Sequence, residues 1–206
     1  MAENADFVPP SARQPQIVDL HIGRINFGIP LVLTAIIAIV SFASLPPPTA
    51  LASTVLGALM AVGGIVDART YILPNAITYG AIASGITAAA ASHLAAALVK
   101  ATTATVRGVA VLLVLLALRW CYSHLRGRHG LGLGDVKLAG AIGVWLPIDY
   151  VPLCFAIASV SALMLILIRV RAGQQTKLTT KIPFGTYLCP ALWLTFFIAS
   201  RVGLVG

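Results

Sequence analysis

Seven apolar runs, separated by short basic or proline-containing stretches, dominate this chain of 206 residues. They cover approximately residues 28–45, 50–67, 76–92, 98–118, 137–149, 152–170 and 184–204. A helix needs roughly 17 to 25 mostly apolar residues to cross a bilayer. Most of the runs have that length, and 137–149 is short. Lipid offers no partners to backbone N–H and C=O groups, so runs of this kind fold as helices. Only 10% of the residues are charged, against roughly 25% in a soluble domain. The expected fold is all-α, a polytopic membrane bundle of about seven helices over residues 28–206. Residues 1–27 are mixed in composition and lack the apolar core of a cleavable signal peptide. They are expected to form a cytoplasmic tail.

Proline punctuates the runs. Pro46-Pro47-Pro48 separates the first two, Pro147 and Pro152 bracket the turn before the sixth, and Pro183 precedes the seventh. Pro74-Asn75 opens the third, with Asn75 expected as its cap. Glycines lie in or beside the runs at Gly57, Gly63, Gly64, Gly80, Gly85, Gly108, Gly140 and Gly143, and small faces let membrane helices approach closely. No internal repeat is visible.

The net charge of +8 does not point to nucleic acid, because no basic helix or basic-aromatic face carries it. The cations sit between the runs. With the tail on one side, alternation gives that side Arg13, Arg24, Arg69, Arg119, Arg126, Arg128, Lys137, Arg169, Arg171, Lys177 and Lys181. The other side receives Lys100, Arg107 and Arg201. Excess basic residues mark the cytoplasmic face. Arg107 lies inside the fourth run and must snorkel or find a partner. Trp120, Trp145 and Trp193 sit near the ends of runs, as interface anchors do.

Acids are scarce, six in all. Glu3, Asp6 and Asp19 lie in the tail and Asp149 in a proline-flanked turn. Asp67 and Asp135 remain at the edges of the apolar core, both on the expected cytoplasmic side. Carboxylates beside hydrocarbon are costly and mark functional sites. Two that share one proton can hydrolyse a peptide. The ionised one takes a proton from water, and the protonated one hydrogen-bonds the scissile carbonyl. Asp67 is expected near a helix C-terminus and Asp135 near a helix N-terminus. By that helix-dipole contrast Asp135 is mostly the base and Asp67 mostly the acid, although the protons belong to the pair. Gly132 and Gly134 precede Asp135, where glycine allows positive φ or close backbone approach.

Cys121, Cys154 and Cys189 are far apart and form no zinc-binding pattern. They read as buried, inert thiols. His124 and His129 read as loop histidines, and His21 and His93 have no evident partner. No metal or cofactor is expected. Lys137 could tune the aspartate pair, meet an acidic substrate group or snorkel.

The stretch Asp67-Ala68-Arg69, followed by Ile72-Leu73-Pro74-Asn75-Ala76-Ile77-Thr78, resembles the first aspartate motif of type IV prepilin peptidases. Gly132-Leu133-Gly134-Asp135-Val136-Lys137-Leu138 resembles their Gly-x-Gly-Asp motif, and Ile182-Pro183-Phe184-Gly185 a later element of the family. The resemblance implies a membrane aspartic endopeptidase of the bacterial inner membrane. Such an enzyme cuts the short basic leader of prepilins or pseudopilins at the cytoplasmic face, usually after a glycine. Asp67 and Asp135 take the catalytic positions. Gly132, Gly134, Lys137, Pro74, Asn75, Pro183, Phe184 and Gly185 bind substrate or shape the site. Larger members carry paired Cys-x-x-Cys motifs linked to N-methylation. This chain has none and is similar to small peptidase-only members, so methyl transfer is not expected. Pro190-Ala191-Leu192 also resembles a presenilin-type element. Two other readings fit an aspartate pair in a membrane protein. A proton-coupled transporter would place polar residues through the midplane. A non-catalytic pilus-assembly subunit would tolerate Asp→Asn at both sites. The oligomeric state stays open.

Overall fold

Asp67 and Asp135 are positioned by two helices of opposite direction within a purely helical bundle. The structure, a computed structural model, describes residues 28–91, 94–127, 132–172 and 183–203. The tail with His21, and likewise His93, Arg128, His129, Lys177, Lys181 and Ile182, lies outside the described residues. The described residues contain α1 (Gly28–Ser44), α2 (Pro47–Thr70), α3 (Asn75–Ala90), α4 (Leu94–Arg126), α5 (Leu133–Trp145), α6 (Val151–Arg171) and α7 (Gly185–Arg201). A 3₁₀ turn, Ile148–Tyr150, leads into α6. No strand occurs among them.

Three stretches are long and apolar enough to cross a membrane: Pro47–Thr70, Ala96–Arg126 and Ile148–Arg171. The helices α1, α4 and α6 turn large apolar side chains outward, among them Leu31, Ile39, Leu98, Val106 and Val160. In water that surface would be a severe liability; in lipid it is the solvated face. The chain is an integral membrane protein with an all-α bundle.

Helix ends differ from the sequence expectation where caps decide them. The α2 helix starts on Pro47, since proline fits the first helical turn. It ends at Tyr71, which takes a left-handed conformation (φ 56°) and donates its N–H to the Asp67 carbonyl at 2.9 Å. The 33 residues of α4 outrun the expected 98–118. At 1.5 Å per residue α4 is about 50 Å long, well beyond the roughly 30 Å of hydrocarbon. Nothing breaks it before Gly127, whose φ of 62° closes the helix. His124 is therefore helical and stacks on Trp120, with ring centroids 5.5 Å apart, rather than sitting in a loop.

The core is built around α5. Leu138, Ala139, Ala141 and Ile142 are fully buried, with α3 and α4 as the main neighbours and α6 and α7 touching it more lightly. The α4–α5 crossing is close because Gly143 has no side chain. A Cβ there would lie 2.6 Å from the Arg107 carbonyl oxygen. Trp145 is a core residue and not an interface anchor. It is 4% exposed, and its indole N–H donates to the Ala81 carbonyl at 2.7 Å. A buried indole needs that partner, and Gly85 leaves room for the ring. Trp193 is half-buried and donates to Ser53 Oγ at 3.2 Å, while Ser53 and Ser41 share a buried hydroxyl pair at 2.9 Å between α1 and α2. Trp120 alone of the three is exposed near a helix end, as expected.

Candidate active site

Asp67 lies one turn before the end of α2 and is 5% exposed. A buried carboxylate needs hydrogen-bond donors. The start of α7 supplies them. Thr186 donates its backbone N–H to Asp67 Oδ2 at 2.8 Å and its hydroxyl to the same oxygen at 3.2 Å. The Asp67 side chain thus caps a helix that begins more than a hundred residues later, filling the role a local capping residue would have. By its place on α2, Asp67 would face only the negative end of a helix. In the fold, Asp67 meets the positive end of α7.

Asp135 is the third residue of α5, where its carboxylate accepts the backbone N–H of Gly132, the cap position. This is the backward half of a capping box. Helix α5 starts four residues earlier than expected from the apolar run, because Gly132 and Asp135 together form its cap. Both aspartates therefore engage backbone donors at helix N-termini, and the dipole does not separate them into acid and base. The two carboxylates lie within electrostatic reach of each other. Cys189, buried on α7 one turn after Gly185, is within reach of both.

The glycines act by absence of volume. A Cβ on Gly185 would lie 2.8 Å from Asp67 Oδ2 and 2.9 Å from its Cγ. A Cβ on Gly134 would lie 3.1 Å from Leu73 Cβ. The close neighbour of Gly134 is thus the α2–α3 joint and not α2 itself. Gly132 has an ordinary φ of −67°, and Gly134 lies within the helix and not at positive φ. Neither uses the positive-φ freedom that sequence allowed, and close approach is the operative property.

Asn75 does not cap α3. Pro74 holds the cap position without a side-chain bond, and Asn75 is the first helical residue. Its Oδ1 instead accepts a hydrogen bond from Lys137 Nζ at 2.8 Å. Lys137 also lies over the Tyr79 ring, 5.4 Å from its centroid. The pair ties α3 to α5 at the rim of the site. Pro183 and Phe184 lead into α7, with Phe184 at its cap position. Sequence reading missed Thr186. A hydroxyl at the start of an apolar helix carries no periodic signal, and its role exists only once α7 docks on α2. Cys121, expected to be buried, is exposed, whereas Cys154 and Cys189 are buried as expected. No group of three or more potential metal ligands occurs among the described residues.

Two carboxylates, on separate helices of a membrane bundle and each fixed by backbone donors, define a candidate aspartic hydrolase centre. Residues 54–167 match a model of the type IV leader peptidase family, and the chain belongs to that family. A prepilin leader peptidase/N-methyltransferase of Aeromonas hydrophila is 33% identical over 86% of this chain and 61% of its own length. Proteins of the same name from Dickeya chrysanthemi and Burkholderia pseudomallei (strain 1026b) are 32% and 28% identical, over 73% and 75% of this chain. The chain spans about 60% or less of the length of these relatives. No solved structure matches it.

Proposed function

We propose that this chain is a membrane aspartic endopeptidase that removes the leader peptide of type IV prepilins or pseudopilins. The observation that carries the reading is the pairing of Asp67 and Asp135, within electrostatic reach of each other, in a chain of the type IV leader peptidase family. One proton is shared by the pair. The ionised carboxylate takes a proton from water, and the protonated one donates to the scissile carbonyl oxygen. The catalytic residues are Asp67 and Asp135. Gly185, Gly134 and Gly132 keep space around them, and Pro74, Asn75, Lys137, Pro183 and Phe184 shape the rim. Like charges at short range favour the singly protonated state, and that is the working state of such a pair.

The active site is proposed to face the cytoplasm of the inner membrane. Support comes from the excess of basic residues at the aspartate end of the bundle. There Arg69, Arg126, Arg169 and Arg171 lie in the last turns of α2, α4 and α6. Of the two activities in the relatives' names, leader cleavage is the one proposed here. The three cysteines form no Cys-x-x-Cys pair, so methyl transfer is not. The transporter reading is disfavoured because both acids lie at one end of the bundle.

The test is direct. Membranes containing the chain are incubated with a prepilin whose leader is short and basic, and the product is sized by mass spectrometry. Cleavage at a single bond after the leader is expected. An intact prepilin, at a concentration where a known leader peptidase processes it fully, would overturn the proposal.

A further inference from the structure

At the end of the bundle away from the aspartates, a cavity of about 710 Å³ opens between α2, α3, α4 and α5. That volume is in the range of sites for drug-sized ligands, enough for a headgroup phosphate and part of an acyl chain. Its walls are unequal. On α2, Leu51, Ala52 and Val55 present hydrocarbon. On α4, Lys100, Thr103 and Arg107 line the opposite wall. Their spacing of three and four residues places them on one helix face.

Arg107 is the unsettled group. Its Nε is buried and has no hydrogen-bond partner among the described residues. Neither Lys100 nor Arg107 forms an ion pair among those residues, and Asp149, the one described acid at this end, pairs with neither. Three of the hydroxyls lining the cavity are already committed as donors. Ser84 donates to Ala81 O, Thr87 to Ser84 O and Thr103 to Val99 O. The donors left lining the cavity are the two cations and the Thr49 hydroxyl on α2. A partly desolvated guanidinium without a counter-charge is costly in a membrane, and arginine is well suited to pair with phosphate. Lys100 and Arg107 are about 10 Å apart along α4, within reach of one anion through their long side chains.

We propose that this cavity is a binding site for an anionic phospholipid. Its phosphate is held between Lys100 and Arg107, and an acyl chain lies along the apolar wall of α2. The occupant is a lipid rather than a free anion because one wall is hydrocarbon and the cavity belongs to a membrane-embedded bundle. The site is separate from the aspartate pair and does not depend on the proposed protease activity.

The test uses the purified full chain in detergent. Thermal unfolding is followed with added phosphatidylglycerol, phosphatidylcholine or inorganic phosphate. Phosphatidylglycerol at saturation is expected to raise the midpoint by about 5 °C, with little effect of the other two. Lys100→Gln with Arg107→Gln should abolish that rise. Ala52→Phe, which fills the apolar wall and leaves both cations, should abolish it as well. An equal rise with phosphatidylcholine, or with phosphate alone, would overturn the proposal, as would a full rise in either variant. If the double glutamine variant does not accumulate, the headgroup preference of the unaltered chain and the Ala52→Phe result decide between the outcomes.

Discussion

Gly185 has no Cβ, and the Asp67 carboxylate occupies the space where one would be. With 2.8 Å and 2.9 Å to two Asp67 atoms, even alanine forces the carboxylate aside. Displacement by an ångström in a catalytic group costs about 100-fold in rate. Gly185→Ala is therefore expected to insert normally and lose about 100-fold in kcat/KM for a matched prepilin. Processing at the parental rate would mean that Asp67 has slack the geometry denies. Thr186 gives a graded test. Thr186→Val keeps the backbone donor and loses the hydroxyl, a bond worth about 1 kcal/mol. A loss of about 5-fold is expected, with Thr186→Ser close to parent. If valine is silent and serine is not, the hydroxyl is not what holds Asp67. At this scale the sequence was informative about the acids and silent about their partners. Asp67 and Asp135 stood out because acids are so few. Thr186 could not, because the 119 positions between it and Asp67 in sequence are bridged only by the packing of α7 on α2.

Helices, not loops, carry the site. The N-terminus of α5 holds Asp135, the C-terminal end of α2 holds Asp67, and the N-terminus of α7 holds the donors for Asp67. The short joint between α2 and α3 fixes their spacing, with Leu73 packed against Gly134. An alanine at 134 would need Leu73 to yield by a few tenths of an ångström. A valine would need the joint to move. Gly134→Ala should retain most activity, and Gly134→Val should lose at least 10-fold at matched membrane levels, in line with the cost of overpacking. Equal activity in the two would remove close approach from the account, leaving the aspartates in place. The apolar runs identified the number and order of the helices. They misplaced the ends of α4 and α5, because hydropathy reports burial in lipid and caps report where helices begin and stop. Helix α4 continues past its apolar stretch to Gly127, with no glycine or proline after the stretch to stop it sooner, and α5 begins before its own stretch at the Gly132–Asp135 cap. Trp145 was placed at the interface for the same reason. Its indole partner, the Ala81 carbonyl, lies on another helix.

As a whole molecule the bundle is polarised. The aspartates and most described basic residues share one end, and Lys100, the proposed lipid cavity and the Leu45–Pro46 joint between α1 and α2 lie at the other. The orientation is testable in a cysteine-free parent, needed because Cys121 is exposed. Single cysteines at Pro47 and Arg126, both exposed, should differ toward an impermeant thiol reagent added to intact cells. Position 47 should react and position 126 should not; the reverse would turn the active site outward. The central claim is that one proton shared by Asp67 and Asp135 does the chemistry, and it is tested most directly by removing either half of the pair. Asp67→Asn and Asp135→Asn are each co-expressed with a prepilin and brought to the membrane level of the parent. The account predicts full-length prepilin in both cases, against complete leader removal by the parent. Near-parental cleavage by either variant would contradict it.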